Sequence, residues 1–104
     1  MPNKFTVLWS DESKTDLDTI FDSYSEYSMD YAKNVVSSVL SREEQLSTFP
    51  LSGSYQYPDI FNNRYRYLVE GNYKIIYHVS ENESIVYVDT IFDTRQEPSK
   101  LRLI

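Results

Sequence analysis

A chain of 104 residues, 40% hydrophobic and 15% aromatic, has the size of one ordinary domain and enough apolar side chain for a single core. It contains no cysteine, which excludes disulfides, thiolate metal sites and cysteine nucleophiles. Its formal net charge of -6 argues against a general polyanion binder, because affinity for free nucleic acid rests on Lys and Arg that neutralise phosphates. The opening Met-Pro-Asn-Lys-Phe lacks a long apolar run, and no stretch approaches the roughly 18 apolar residues of a membrane span. A soluble, unprocessed, cytoplasmic protein with no membrane partner is the expectation.

Phe5, Val7 and Trp9 alternate with Lys4, Thr6 and Leu8, which predicts a strand over 4–9. Ser10 or Asp11 is placed to cap a helix with Leu17, Ile20, Phe21 and Tyr24 on one stripe. Asp11, Glu12, Asp16, Asp18 and Asp22 are expected in water, those in the first turn favoured by the helix dipole. Ser28 caps a second, long helix over about 29–48 that turns Ala32, Val35, Val36, Val39, Leu40, Leu46 and Phe49 to the core. Pro50 ends it, and 51–63, with Gly53 and Pro58, reads as a loop.

Residues 64–79 form the centre of the chain, a hairpin of two Tyr-, Val- and Ile-rich runs around Gly71-Asn72. A three-residue loop, 70–72, would put Tyr65, Tyr67 and Val69 on one face with Tyr73, Ile75, Tyr77 and Val79. Arg64, Arg66 and Leu68 would then share the other face with Lys74, Ile76 and His78. That register is expected because it gives one uniformly apolar or aromatic face, whereas a two-residue loop mixes the sets. A polar turn at 80–83 leads into a last strand over 85–92, and Asp93 to Pro98 breaks the pattern before a tail over 99–104. The order strand, helix, helix, three strands (βααβββ) defines an α+β single domain over 1–104, an antiparallel sheet packed on a helix pair.

Charge is uneven along the chain. The bases Arg64, Arg66, Lys74, Arg95, Lys100 and Arg102 all follow residue 60, and the excess of acids lies before it. A basic working surface on an acidic scaffold is one reading, and ordinary solubilising charge is the other. Asp89 and Asp93 lack a histidine or third carboxylate close in sequence, so no metal is implied, and two glycines make no phosphate-cradling loop. Nothing calls for a cofactor. His78, the only histidine, reads as a structural strand residue, and Tyr65, Tyr67, Tyr73, Tyr77 and Tyr87 as sheet tyrosines that supply core area.

Five features arrive in order with short spacings: Asp16-Leu17 with Ile20; Phe49-Pro50 with Gly53; Arg66-Tyr67-Leu68-Val69; Tyr73-Lys74-Ile75-Ile76-Tyr77; and Phe92-Asp93-Thr94-Arg95-Gln96-Glu97-Pro98. Together they resemble the RelE/ParE toxin superfamily of bacterial type II toxin–antitoxin systems, on its ParE-like, plasmid-stabilisation side. The resemblance implies a growth-inhibiting toxin neutralised by a cognate antitoxin. RelE-like members cleave messenger RNA on the ribosome, and ParE-like members inhibit DNA gyrase.

Cleavage by a 2′-hydroxyl needs a base, cations for the phosphorane-like charge and an acid for the leaving oxygen. If the chain is a nuclease, the resemblance assigns Arg66, Lys74 and Arg95 to that work. The position about six residues past Arg95, where nuclease members often carry a tyrosine, is Leu101, and a hydrocarbon moves no proton. DNA gyrase is therefore the expected target, with the ribosome and messenger RNA as the alternative and an inert antitoxin-binding relative as a third possibility. The expected target-binding residues are Arg64, Arg66, Arg95 and Lys100, with the segment from Asp93 to Leu101 carrying the contact.

Overall fold

A computed structural model describes residues 4–56 and 64–101. Strand β1 (Thr6–Trp9) leads into helices α1 (Asp11–Ser25), α2 (Met29–Leu40) and α3 (Glu43–Thr48). Strands β2 (Ser54–Tyr55), β3 (Arg66–Glu70), β4 (Tyr73–Ser80) and β5 (Ile85–Asp93) follow, and a 3₁₀ turn spans Pro98–Lys100. The described strands form one sheet in the order β1-β5-β4-β3-β2, with β1 parallel to β5 and every other pair antiparallel. The expected α+β architecture is present, with β2 as an additional short strand in the stretch read as a loop.

Both helix caps are the serines the sequence offered. Ser10 Oγ accepts from the Ser13 N–H at 3.0 Å and donates to the Asp89 carbonyl at 2.8 Å, so the cap also anchors α1 to β5. Ser28 Oγ accepts from the Tyr31 N–H at 3.2 Å. Asp16, expected in water, instead takes two hydrogen bonds from β5: Thr90 Oγ1 donates at 2.8 Å and the Ile91 N–H at 2.9 Å.

The long second helix is two. Its ladder stops at Ser41, whose Oγ donates to the Ser38 carbonyl at 2.7 Å, and restarts at Glu43. The break turns Leu46 fully inward but leaves Leu40 43% and Phe49 65% exposed, against the expectation that both lie in the core. It also aims Arg42 across the sheet edge: Nε donates to Glu70 at 2.8 Å, Nη1 to Gln45 at 2.7 Å and Nη2 to the Val69 carbonyl at 3.1 Å.

The hairpin loop holds two residues, because Glu70 pairs directly with Tyr73. Gly71, at φ +58°, supplies the positive φ that a two-residue turn needs to match strand twist, and this overrides the preference for a uniformly apolar face. The β4 faces are as expected, and those of β3 are exchanged. Leu68 joins Tyr73, Ile75 and Tyr77 under the helices, while Tyr67 and Val69 join Lys74, Ile76 and His78 on what we term the outer face.

Opposite the Ile76–Tyr77 step, β5 carries one extra residue, Asp89, between the partners Val88 and Thr90. This bulge changes which residues of β5 face the helices, so Val86, Val88 and Ile91 all enter the core. Leu17, Ile20, Val39 and Leu46 cover these strands from the helix side. Tyr77 is completely buried, and its oxygen accepts from the Gly53 N–H at 2.9 Å. A Cβ on Gly53 would collide with that hydroxyl and lie 2.7 Å from the Tyr67 carbonyl, so only glycine lets the β2 segment close on the sheet.

Candidate functional site

Two clusters of interacting polar side chains on the sheet bear on function. The first lies where β4 begins and β5 ends, cross-strand neighbours at Tyr73 and Asp93. Thr94 fixes the segment that leaves β5, giving its N–H and its Oγ1 to the Asn72 carbonyl at 2.8 Å each. Arg95 then folds back on Asp93: its Nε and N–H donate to Oδ1 at 2.9 Å and Nη2 to Oδ2 at 2.8 Å. Nη2 also donates to the Tyr24 oxygen at 3.3 Å, and the Tyr73 O–H donates to the same atom at 3.2 Å.

These contacts separate the two phenols. The Tyr73 hydrogen bond, assisted by Arg95, lowers the pKa of Tyr24 below that of an ordinary tyrosine. Burial, and the donation of its proton to Tyr24, raise that of Tyr73. Tyr24 and Tyr73 line both neighbouring clefts: one of about 130 Å³ that continues to Tyr31, Val35 and Asn72, and one of about 200 Å³ that continues to Asp16, Arg95 and Gln96. Lys100 lies in the 3₁₀ turn beside a third cleft of about 170 Å³ that includes Glu12 and Leu101.

Hydrogen bonds from Arg95 hold the Asp93 carboxyl below the ordinary carboxylate range. A depressed folded pKa contributes stability above the unfolded value, about 4, that is lost as pH falls through the folded one. The stability advantage of the unaltered protein over Arg95→Ala should therefore be fullest near neutrality and close on acidification. Urea unfolding as a function of pH measures it, and an advantage that grows at low pH would contradict the assignment.

The second gathering is on the outer face. Asp89 Oδ2 lies 2.6 Å from His78 Nδ1, and Arg64 Nη2 lies 3.5 Å from His78 Nε2. The imidazole stacks on Tyr87, with centroids 5.0 Å apart and planes at 18°, and meets Tyr65 edge-on at 5.7 Å. On the same face Lys74 sits 4.2 Å over the Tyr67 ring and donates to Gln56 at 3.3 Å.

Arg66 is elsewhere. It shares the helix-side face with its partner Tyr77, donates to the carbonyls of Gly53 at 2.9 Å and Leu51 at 3.2 Å, and lies 4.2 Å over the Tyr55 ring. Arg66 and Lys74 thus occupy opposite faces, and Arg95 lies past the end of β5, so the fold does not bring the three together. Asp89 and Asp93 are also apart, one serving His78 and the other Arg95. Sequence reasoning missed Tyr24, whose role depends on two partners 49 and 71 residues away. It also missed the His78–Asp89 pair, which the bulge brings together.

A sequence model for the "ParE toxin of type II toxin-antitoxin system, parDE" matches residues 7–98. No curated protein matches. Among solved structures, the fold is similar to a chain of the chromosomal ParDE toxin–antitoxin system from P. aeruginosa, at 16% identity and a TM-score of 0.72 over 86% of this chain and 96% of that one. It is also similar to a chain of the RelBE2 toxin–antitoxin complex from Mycobacterium tuberculosis, at 15% identity and a TM-score of 0.66 over 86% and 98%. At this identity both likenesses speak for the fold. No helix among the described residues is long and apolar enough to cross a membrane.

Proposed function

Because the chain belongs to the ParE toxin family of type II toxin–antitoxin systems, we propose that it arrests growth by binding DNA gyrase and that a cognate antitoxin neutralises it. The observation that supports binding over catalysis is the dispersal of the family's basic positions. The Arg66 guanidinium is occupied by backbone carbonyls, Lys74 faces the other way, and Leu101 follows Arg95 where a proton-moving group would be needed. Three cations that do not converge offer no common point for a phosphorane-like charge. Ribosome-dependent cleavage of messenger RNA is the second reading, favoured by the carboxylate-held imidazole of His78 beside Arg64.

Induced expression with parallel readout separates the two. Loss of plasmid supercoiling while translation continues is expected, with growth restored and a tight complex recovered when the antitoxin is co-expressed. Ribosome-dependent messenger cuts mapped by primer extension, with supercoiling intact, would replace gyrase by the ribosome. Harmless expression in the absence of any partner would sink both.

A further inference from the structure

Among the described residues, most of the arginines are already held by carboxylates or carbonyls. Arg42 and Arg95, like Lys4, each have a carboxylate within 2.8 Å, and Arg66 is held by carbonyls. Arg64 and Lys74 have no acidic partner among the described residues; Lys74 lies on the outer face, and Arg64 reaches it at His78. Arg64 is exposed, with its guanidinium 5.4 Å over the Tyr65 ring.

The imidazole beside it has a defined direction. An ionised carboxylate only accepts, so the ring proton shared with Asp89 sits on Nδ1, and Nε2 is the atom turned to Arg64. At 3.5 Å that contact is too long to satisfy the guanidinium. Once protonated, Nε2 becomes a second donor facing the donors of Arg64, with no acceptor between them among the described residues. A group with several anionic oxygens completes this arrangement by accepting from both.

We propose that Arg64 and His78 form a binding site for a phosphate ester, with Asp89 orienting the imidazole and Tyr87 bracing its ring. Phosphate suits the geometry better than carboxylate because its tetrahedral oxygens reach two donors that approach from different directions. The part-exposed rings of Tyr67 and Tyr87 on this face favour an ester that carries a nucleobase. A net charge of -6 weakens long-range attraction and leaves this short-range site intact. The site goes beyond binding to gyrase, and its residues, Arg64 and His78, are those the ribosome reading would also use.

The test uses the full ¹⁵N-labelled chain, following the His78 ring and the Arg64 Nε–H by NMR during titration with AMP, with a single-stranded oligonucleotide and with acetate at matched ionic strength. Saturable shifts at both residues are expected with the phosphate ligands and not with acetate. Arg64→Gln should weaken binding about tenfold, as for loss of a charge-assisted hydrogen bond, with a similar loss in His78→Gln. Lys14→Gln, on the exposed side of α1, should leave it unchanged. Tighter binding of the oligonucleotide than of AMP identifies a nucleic-acid backbone as the source, and equal binding a free nucleotide. Absence of saturable shifts, an equal response to acetate, or undiminished binding by Arg64→Gln would overturn the site.

Discussion

Tyr77→Ala should cost about 3–5 kcal/mol, a large part of the 5–15 kcal/mol that stabilises a domain of this size. The residue is completely buried and belongs to the cluster formed by the helices with β3, β4 and β5, so its removal leaves a cavity walled by several elements at once. The hydroxyl has a separate role. Gly53 gives it the backbone N–H and gives Arg66 the carbonyl, so one phenol and one guanidinium fasten the β2 segment to the sheet. Tyr77→Phe keeps the volume but strands the Gly53 N–H, which should cost about 1–3 kcal/mol. Thermal unfolding should resolve the two steps at about 4–8 °C per kcal/mol, and equal melting temperatures for Tyr77→Phe and the unaltered protein would show that the hydroxyl holds nothing.

Arg95→Ala should abolish growth inhibition with little change in melting temperature, if the segment after β5 carries the target contact that the sequence leads one to expect. The side chain is 56% exposed, and an ion pair with such access to water contributes roughly 0–1 kcal/mol. Its guanidinium is nevertheless held in one orientation by Asp93 and the Tyr24 oxygen, at the wall of a cleft. A pre-set charge loses little rotamer freedom when a partner arrives. Toxicity measured by colony formation, together with a melting curve of the purified variant, decides the matter. Toxicity that survives in a folded, expressed variant would move the contact to Arg64, since Arg66 is occupied by the Gly53 and Leu51 carbonyls.

Legibility in the sequence followed how local each determinant is. Ser10 and Ser28 act on backbone three residues ahead, so Ser28 could be read directly and Ser10 as one of two candidates with Asp11. The break at Ser41–Arg42 was hidden because apolar spacing runs on from Val39 to Leu46 as if the helix continued. Its cause is partly remote, in Glu70 and the Val69 carbonyl that receive Arg42. The hairpin register failed for a physical reason: both sheet faces bury side chains, Tyr65 and Ile76 away from the helix-side cluster, so uniformity of one face was a poor guide. The bulge at Asp89 has no local signature, and without it the partnership of Asp89 with His78 is invisible. The basic positions were easily listed, but burial, facing and partners set their roles, and those depend on the whole fold.

The pairing of β1 also sets a timetable for synthesis. Among the described strands β1 has a single neighbour, β5, and Thr6 must meet Ile85. Those residues are roughly 80 apart, so at about 5–20 residues per second the first strand waits some 4–16 s for its partner to be made. Until then β4 also lacks the neighbour it needs on that side, and the apolar faces of α1 and β1 have no completed sheet to rest on. A chain cut short before Ile85 has no finished core, so any activity that needs the completed sheet begins only after β5 has been made.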